Sequence, residues 1–330
     1  MTVQPFEQNV IALIWDFDKT LINGNMQAPI FRKYGVEERR FWDEVNALAD
    51  RYREWYPNMR VNKDTMYLNH LLTCVRQGIF KGLNNRLLFE LGKELAFRDG
   101  LPEFFTKLKT AIEQDERYRK YNITVEHYIV STGLAEMIRG SAIAPYVDGI
   151  WGCEFIERPI LSGLGGSAAA EEDGGEPEIA QIAYAIDNTS KTRAIFEINK
   201  GANKYPQIDV NSAMDRSLRR VPFEHMIYIA DGPSDVPAFS ILKQNGGKTF
   251  AVYQKGNLRE FEQADQLRRE GRIDMYAEAD FRENTLTHLW LMEHAKRIAE
   301  KIYIAKEQAI LSSVSRPPGH IHESSGDASA

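Results

Sequence analysis

The chain opens on a continuous apolar run, Val10-Ile11-Ala12-Leu13-Ile14-Trp15, that stops at Asp16 and Asp18. A short run rich in β-branched and aromatic residues, without alternation, predicts a strand buried on both faces. The period then changes. Within residues 36–57, Phe41, Val45, Leu48, Tyr52 and Trp55 recur at steps of three and four, one face of a helix. Residues 63–80, striped by Met66, Leu71, Leu72 and Val75, and residues 85–97 predict two more helices. No strand pattern interrupts 28–97, so an all-helical block follows the first strand.

Strand and helix signals then alternate. Residues 101–114 read as an amphipathic helix, 127–131 as a strand, and 133–141 as the start of another helix. Residues 149–156, 179–186, 225–231 and 248–254 read as strands, and 285–309 as a long terminal helix. This alternation predicts an α/β fold, a Rossmann-like doubly wound parallel sheet with a small all-helical unit. The expected organisation is a discontinuous core, 8–24 and 98–311, interrupted by the helical unit 25–97. The Gly-, Ala- and acid-rich stretch 162–178 is expected to be a mobile loop, and 312–330, without apolar anchors, a disordered tail.

Bulk properties exclude several classes. A net charge of −6 with only the short basic segment Asp215–Pro222 argues against nucleic acid, and that segment reads as a solvated face. No run approaches the ~20 apolar residues of a membrane span. Two distant cysteines, Cys74 and Cys153, and an N-terminus without signal-peptide character predict a reduced, cytoplasmic protein without disulfides. Homo-oligomerisation stays open.

In a parallel sheet, ligands bind beyond the carboxyl ends of the strands. The first strand ends in Asp16 and Asp18, the 127–131 strand in Ser131-Thr132-Gly133, and the 225–231 strand in Asp231, with Asp235 four residues on. Two like charges ~4 Å apart repel by roughly 4 kcal/mol at an effective dielectric of 20. A hard divalent cation among the carboxylates relieves that cost, and Mg²⁺ is the expected ion. The Ser-Thr-Gly corner reads either as a helix N-cap or as an anion site of free backbone N–H groups approached closely at Gly133. Lys191 falls in the first turn of a predicted helix, where a cation opposes the helix dipole unless an anion faces it. A surface lysine is the alternative there, with Lys200 and Lys204 as other candidates.

These residues resemble the haloacid dehalogenase-like (HAD) hydrolase superfamily. Asp16–Thr20 (DFDKT), Ile129–Gly133 (IVSTG), Lys191 and Ala230–Asp235 (ADGPSD) match its four motifs in order. The resemblance implies Asp16 as nucleophile forming an aspartyl-phosphate, and Asp18 as general acid and base. It implies Ser131, Thr132, Gly133 and Lys191 as phosphate-binding residues. It implies Mg²⁺ held by Asp16, Asp18 through its main-chain carbonyl, Asp231 and Asp235, with Thr20 bonding the loop backbone. An Asp at position 18 is what phosphatases and phosphomutases of the superfamily carry, and the helical block resembles the cap of the phosphoserine-phosphatase-like branch. The implied activity is Mg²⁺-dependent hydrolysis of a small phosphorylated metabolite. The alternatives are phosphomutase or phosphotransferase chemistry and a non-catalytic binder of a phospho-ligand. The chain departs from the branch after the first motif, where Asn23, Asn25 and Gln27 stand in place of the acid that meets a substrate ammonium. Ala230 replaces a common glycine, and a polar insertion separates Lys191 from Asp231.

Overall fold

The computed structural model describes residues 6–160 and 176–314. Seven strands form one sheet: β1 (Val10–Trp15), β2 (Thr124–Leu134), β3 (Gly149–Ile156), β4 (Gln181–Tyr184), β5 (Met226–Ala230), β6 (Lys248–Tyr253) and β7 (Met275–Glu278). Their order is β4-β3-β2-β1-β5-β6-β7, and every pair is parallel except β3–β4 at one edge. The chain builds outward from β1 to β3, then returns to the other side of β1 at β5, which is the doubly wound α/β arrangement. All six residues of β1 are buried, as a central strand requires.

Four helices follow β1 directly: α1 (Ala28–Tyr34), α2 (Glu38–Trp55), α3 (Met66–Arg76) and α4 (Asn85–Gly92). Phe31, Phe41 and Phe80 pack together at their centre, with Trp42 edge-on to Phe31 and Phe41. The far end of the α2 stripe leaves this core, for Trp55 is 72% exposed. The remaining helices accompany the sheet: α5 (Glu103–Glu113), α6 (Glu116–Arg119), α7 (Ala135–Gly140), α8 (Lys191–Lys200), α9 (Val236–Gln244), α10 (Leu258–Arg269) and α11 (Leu286–Val314). Trp15 of β1 stacks on Phe105 of α5, with ring centroids 4.9 Å apart.

Several boundaries differ from the sequence reading. The helix expected over 85–97 stops at Gly92, because Phe97 turns back to bridge with Ile22. The strand at 127–131 extends through Leu134, so Ser131, Thr132 and Gly133 lie in strand rather than at a helix start. Pairing of β2 with β3 shifts register between Val130 and Leu134, a local irregularity that frees backbone groups from the ladder. The strand at 181–184 runs antiparallel, being an edge element rather than a crossover product. β7 and helices α9 and α10 were not anticipated; half of the α10 residues are charged and β7 has a single buried residue. The terminal helix reaches Val314, past the boundary expected at 312, and the rest of the tail lies outside the described residues. The expected mobile loop falls outside them except for residues 176–178. Of these, Glu176 pairs with Arg86 at 2.5 Å, and Glu178 accepts from the Gly82 N–H.

Candidate active site

Register brings the acidic residues together. Trp15 lies opposite Ile129 on one side and Ile229 on the other, so Asp16, Ser131 and Asp231 emerge at the same edge of the sheet. The Asp16 N–H still donates to the Ile229 carbonyl at 2.9 Å, which sets the angle at which its side chain leaves the strand. Carboxylate oxygens of Asp16, Asp231 and Asp235 all lie within 4.8 Å of one another.

Lys191 joins them. It is the first residue of α8 and 1% exposed, and its Nζ donates to Asp16 Oδ1 and Asp235 Oδ1, each at 2.7 Å. Lys200 and Lys204 serve elsewhere: the former donates to the carbonyls of Val210 and Ser212, the latter to that of Asp148. Asp235 accepts two further bonds, from Tyr228 Oη to Oδ1 at 2.7 Å and from Ser234 Oγ to Oδ2 at 2.8 Å. Thr20 was expected to bond backbone; its Oγ1 instead reaches Asp16 Oδ2, at 3.4 Å, because the loop folds it back beneath that carboxylate.

The loop after β1 is held from outside. Lys19 adopts a left-handed backbone (φ +58°), its N–H donates to the Gly24 carbonyl, and its own carbonyl accepts from Arg98 Nη2 at 2.8 Å. Asp18 Oδ1 accepts from the Met26 N–H at 2.8 Å, which turns that carboxylate away from the three-acid cluster.

The Ser-Thr-Gly segment behaves differently from its sequence reading. Ser131 Oγ accepts from the Gly133 N–H at 3.0 Å, closing a local turn of side chain on backbone. The close approach that Gly133 allows is taken by Met26: a Cβ there would stand 2.2 Å from Met26 Cε, and Met26 Sδ accepts from the Leu134 N–H. Thr132 offers its carbonyl to Tyr67 Oη of α3 at 2.7 Å and to Cys153 Sγ at 3.3 Å. Met26 and Tyr67 thus carry the helical block onto the end of β2.

Burial strains the charges. It lifts the Asp18 carboxyl to about 7, with the neighbouring Asp16 charge adding to the effect. Asp16 rises to about 6 through burial, held back by Lys191, and Asp231 to about 8 through burial and the charges of Asp16 and Asp235. Burial also works against the Lys191 ammonium, but Asp16 and Asp235 outweigh it and keep its pKa above the ordinary value. One ammonium does not neutralise this many carboxylates. A cluster of hard oxygen donors short of positive charge is the chemistry of a Mg²⁺ site, and the residues fit that ion. Asp16 and Asp231 are the side chains best placed to hold it, since both Asp235 oxygens already accept hydrogen bonds.

Sequence reasoning missed Tyr228, Ser234, Tyr67, Met26 and Arg98. Tyr228 carried a signal, for a buried tyrosine in an aliphatic strand needs a partner for its hydroxyl. The others act through contacts between distant segments.

No family model matches the chain. It is 38% identical over 289 residues to an "uncharacterized protein" of Borreliella burgdorferi, covering 87% of this chain and 96% of that one. Solved structures similar to it include HAD-family hydrolases. One, from Salmonella enterica serovar Typhi, is 16% identical, with a TM-score of 0.45 over 78% of this chain and 67% of its own. Another, a phospho-aspartyl intermediate analogue of phosphoserine phosphatase, is 15% identical, with a TM-score of 0.44 over 81% and 93%. No helix among the described residues is long and apolar enough to cross a membrane.

Proposed function

We propose that this chain, which belongs to one family with the Borreliella burgdorferi protein, is a Mg²⁺-dependent phosphomonoester hydrolase of the HAD type acting on a small phosphorylated metabolite. The observation that carries this reading is the convergence of Asp16, Asp231, Asp235 and Lys191, from the ends of β1 and β5 and the start of α8, into one buried centre. Asp16 Oδ attacks phosphorus, the bond from phosphorus to the leaving oxygen breaks, and an aspartyl-phosphate forms. Asp18 delivers its proton to the leaving oxygen. It then takes a proton from the water that attacks the intermediate, which restores both residues. A carboxyl lifted to about 7 suits both halves of that task near neutral pH. Lys191 neutralises charge on the transferring group, and the Ser131 hydroxyl, held by the Gly133 N–H, orients it. Asp16, Asp231 and the Asp18 carbonyl, with Asp235 assisting, would hold Mg²⁺, which when bound would supply the positive charge that lets a dianion approach a carboxylate.

The block 25–97 acts as a cap. Asp16 and Lys191 are 5% and 1% exposed, so substrate entry requires the α3 contact through Tyr67 to part. With no acid among Asn23, Asn25 and Gln27, the favoured substrate lacks an ammonium at that position. Release of phosphate from p-nitrophenyl phosphate is the test. Turnover should require Mg²⁺ and vanish in Asp16→Asn while the fold persists by circular dichroism. Full activity in Asp16→Asn ends the proposal, and turnover that needs a bisphosphorylated cofactor converts it to a mutase.

A further inference from the structure

Around the start of α3, Asn62 and Tyr67 reach two segments of the core. The Tyr67 hydroxyl lands on the Thr132 carbonyl, beside Ser131, and the Asn62 amide lands on the turn that leads into Lys191.

Asp187 builds that turn. Its Oδ1 accepts from the N–H groups of Thr189 and Ser190, at 3.0 and 2.7 Å, and its carbonyl accepts from the Lys191 N–H at 3.1 Å. This is the bonding of a helix N-cap, set one turn ahead of α8, while the Ser190 side chain caps no N–H of α8 itself. The Ser190 N–H above all holds the Asp187 carboxyl below its ordinary range, so it stays an acceptor. The other oxygen, Oδ2, accepts from Asn62 Nδ2 at 3.0 Å. Beside it the Asn188 N–H donates to Asp64 Oδ2 at 3.4 Å, and the Asp64 N–H donates to Asn62 Oδ1 at 3.0 Å.

A carboxylate is planar and turns as one body, so its two oxygens cannot be aimed independently. When Asn62 withdraws, the plane is free to rotate, and the Oδ1 bonds that fix the turn loosen. We propose that Asp187 is a positioning residue for Lys191, coupling the seating of α3 on the core to the presentation of that ammonium. What Lys191 does for a substrate rests on the proposed function; the coupling rests on the two oxygens of Asp187. An ammonium shared between Asp16 and Asp235 must be aimed anew at an arriving phosphoryl group. A turn that is fixed only when α3 is seated confines that aim to the complex from which water is excluded.

Hydrogen exchange on the full chain tests the coupling by swapping the two partners. Asn62→Asp keeps the acceptor for the Asp64 N–H and turns the donor facing Asp187 into a carboxylate. Asp187→Asn keeps an acceptor for the turn, since Asn caps as well as Asp, and replaces Oδ2 with an amide nitrogen. Asn62→Asp should speed exchange several-fold in Met66–Arg76 and also at residues 189–193, none of which Asn62 touches. Asp187→Asn should do the same in Met66–Arg76. The double variant restores the bond with its polarity reversed, and both segments should return to the exchange of the unchanged chain. Turnover of p-nitrophenyl phosphate should fall several-fold in Asn62→Asp and recover in the double variant. Faster exchange confined to Met66–Arg76 in Asn62→Asp overturns the coupling, and so does a double variant that recovers neither segment. A chain that releases no phosphate at all sinks the proposed function instead, and exchange still decides the coupling.

Discussion

At the scale of single residues, the centre is a set of charges that neutralise one another incompletely. Lys191 bridges Asp16 and Asp235, and Tyr228 holds Asp235 from beneath, so the ammonium points where its carboxylates are fixed. Removing the Tyr228 hydroxyl frees Asp235 to rotate without unpacking the ring, which meets Phe239 edge-on. Tyr228→Phe should therefore fold normally and lower kcat about ten-fold, the equivalent of ~1.4 kcal/mol in the barrier, with KM little changed. Steady-state kinetics decide it; a loss confined to KM contradicts the positioning role. Asp18→Asn keeps the hydrogen bond from the Met26 N–H yet removes the transferable proton. Its cost should grow with the basicity of the leaving oxygen, and be smallest for a nitrophenolate. A panel of esters with graded leaving groups measures that slope.

At the scale of elements, α4 and α7 cross at contact distance because glycines stand at the crossing. A Cβ at Gly140 would lie 1.9 Å from the Phe89 carbonyl oxygen, and one at Gly92 lies 2.1 Å from that of Met137. Backbone cannot yield there as a flexible side chain would. Gly140→Ala should cost ~1–3 kcal/mol through overpacking, read from the denaturation midpoint. α4 is thus bolted to the core, whereas α3 reaches it through the Tyr67 hydroxyl and the preceding turn through Asn62, whose amide donates to Asp187 at 3.0 Å. The movable part of the block is then α2 with α3. Tyr67→Phe should speed amide exchange in Met66–Arg76 while β1 and β5 stay protected. Equal exchange in both proteins removes Tyr67 from the closure.

Across the whole molecule, the buried acids link stability to pH and, on the proposed function, to metal. Asp16, Asp18 and Asp231 hold their protons more tightly folded than unfolded, with folded values of about 6, 7 and 8. The folded state then binds more protons, and metal-free stability falls as pH rises from ~4, the ordinary unfolded carboxyl value, to about 8. Mg²⁺ competes with those protons, so it should raise the melting temperature more at pH 8 than at pH 5. At a hundred-fold excess over Kd the gain is ~2.7 kcal/mol, or several degrees for a chain of this size. Thermal scans at both pH values, with and without Mg²⁺, check the sign.

The sequence alone determined the alternation of elements, the buried central strand and the presence of aspartates at strand ends, because these are local matters of period and apolar content. The α/β class followed from them, as did the four short motifs. Tertiary structure alone decided which lysine meets the acids, since Lys191, Lys200 and Lys204 are alike until the chain folds and each finds its acceptor. It also decided that Gly133 makes room for Met26 and that β4 reverses direction. Periodicity reports which face of an element is covered. Only the packed chain reports by what.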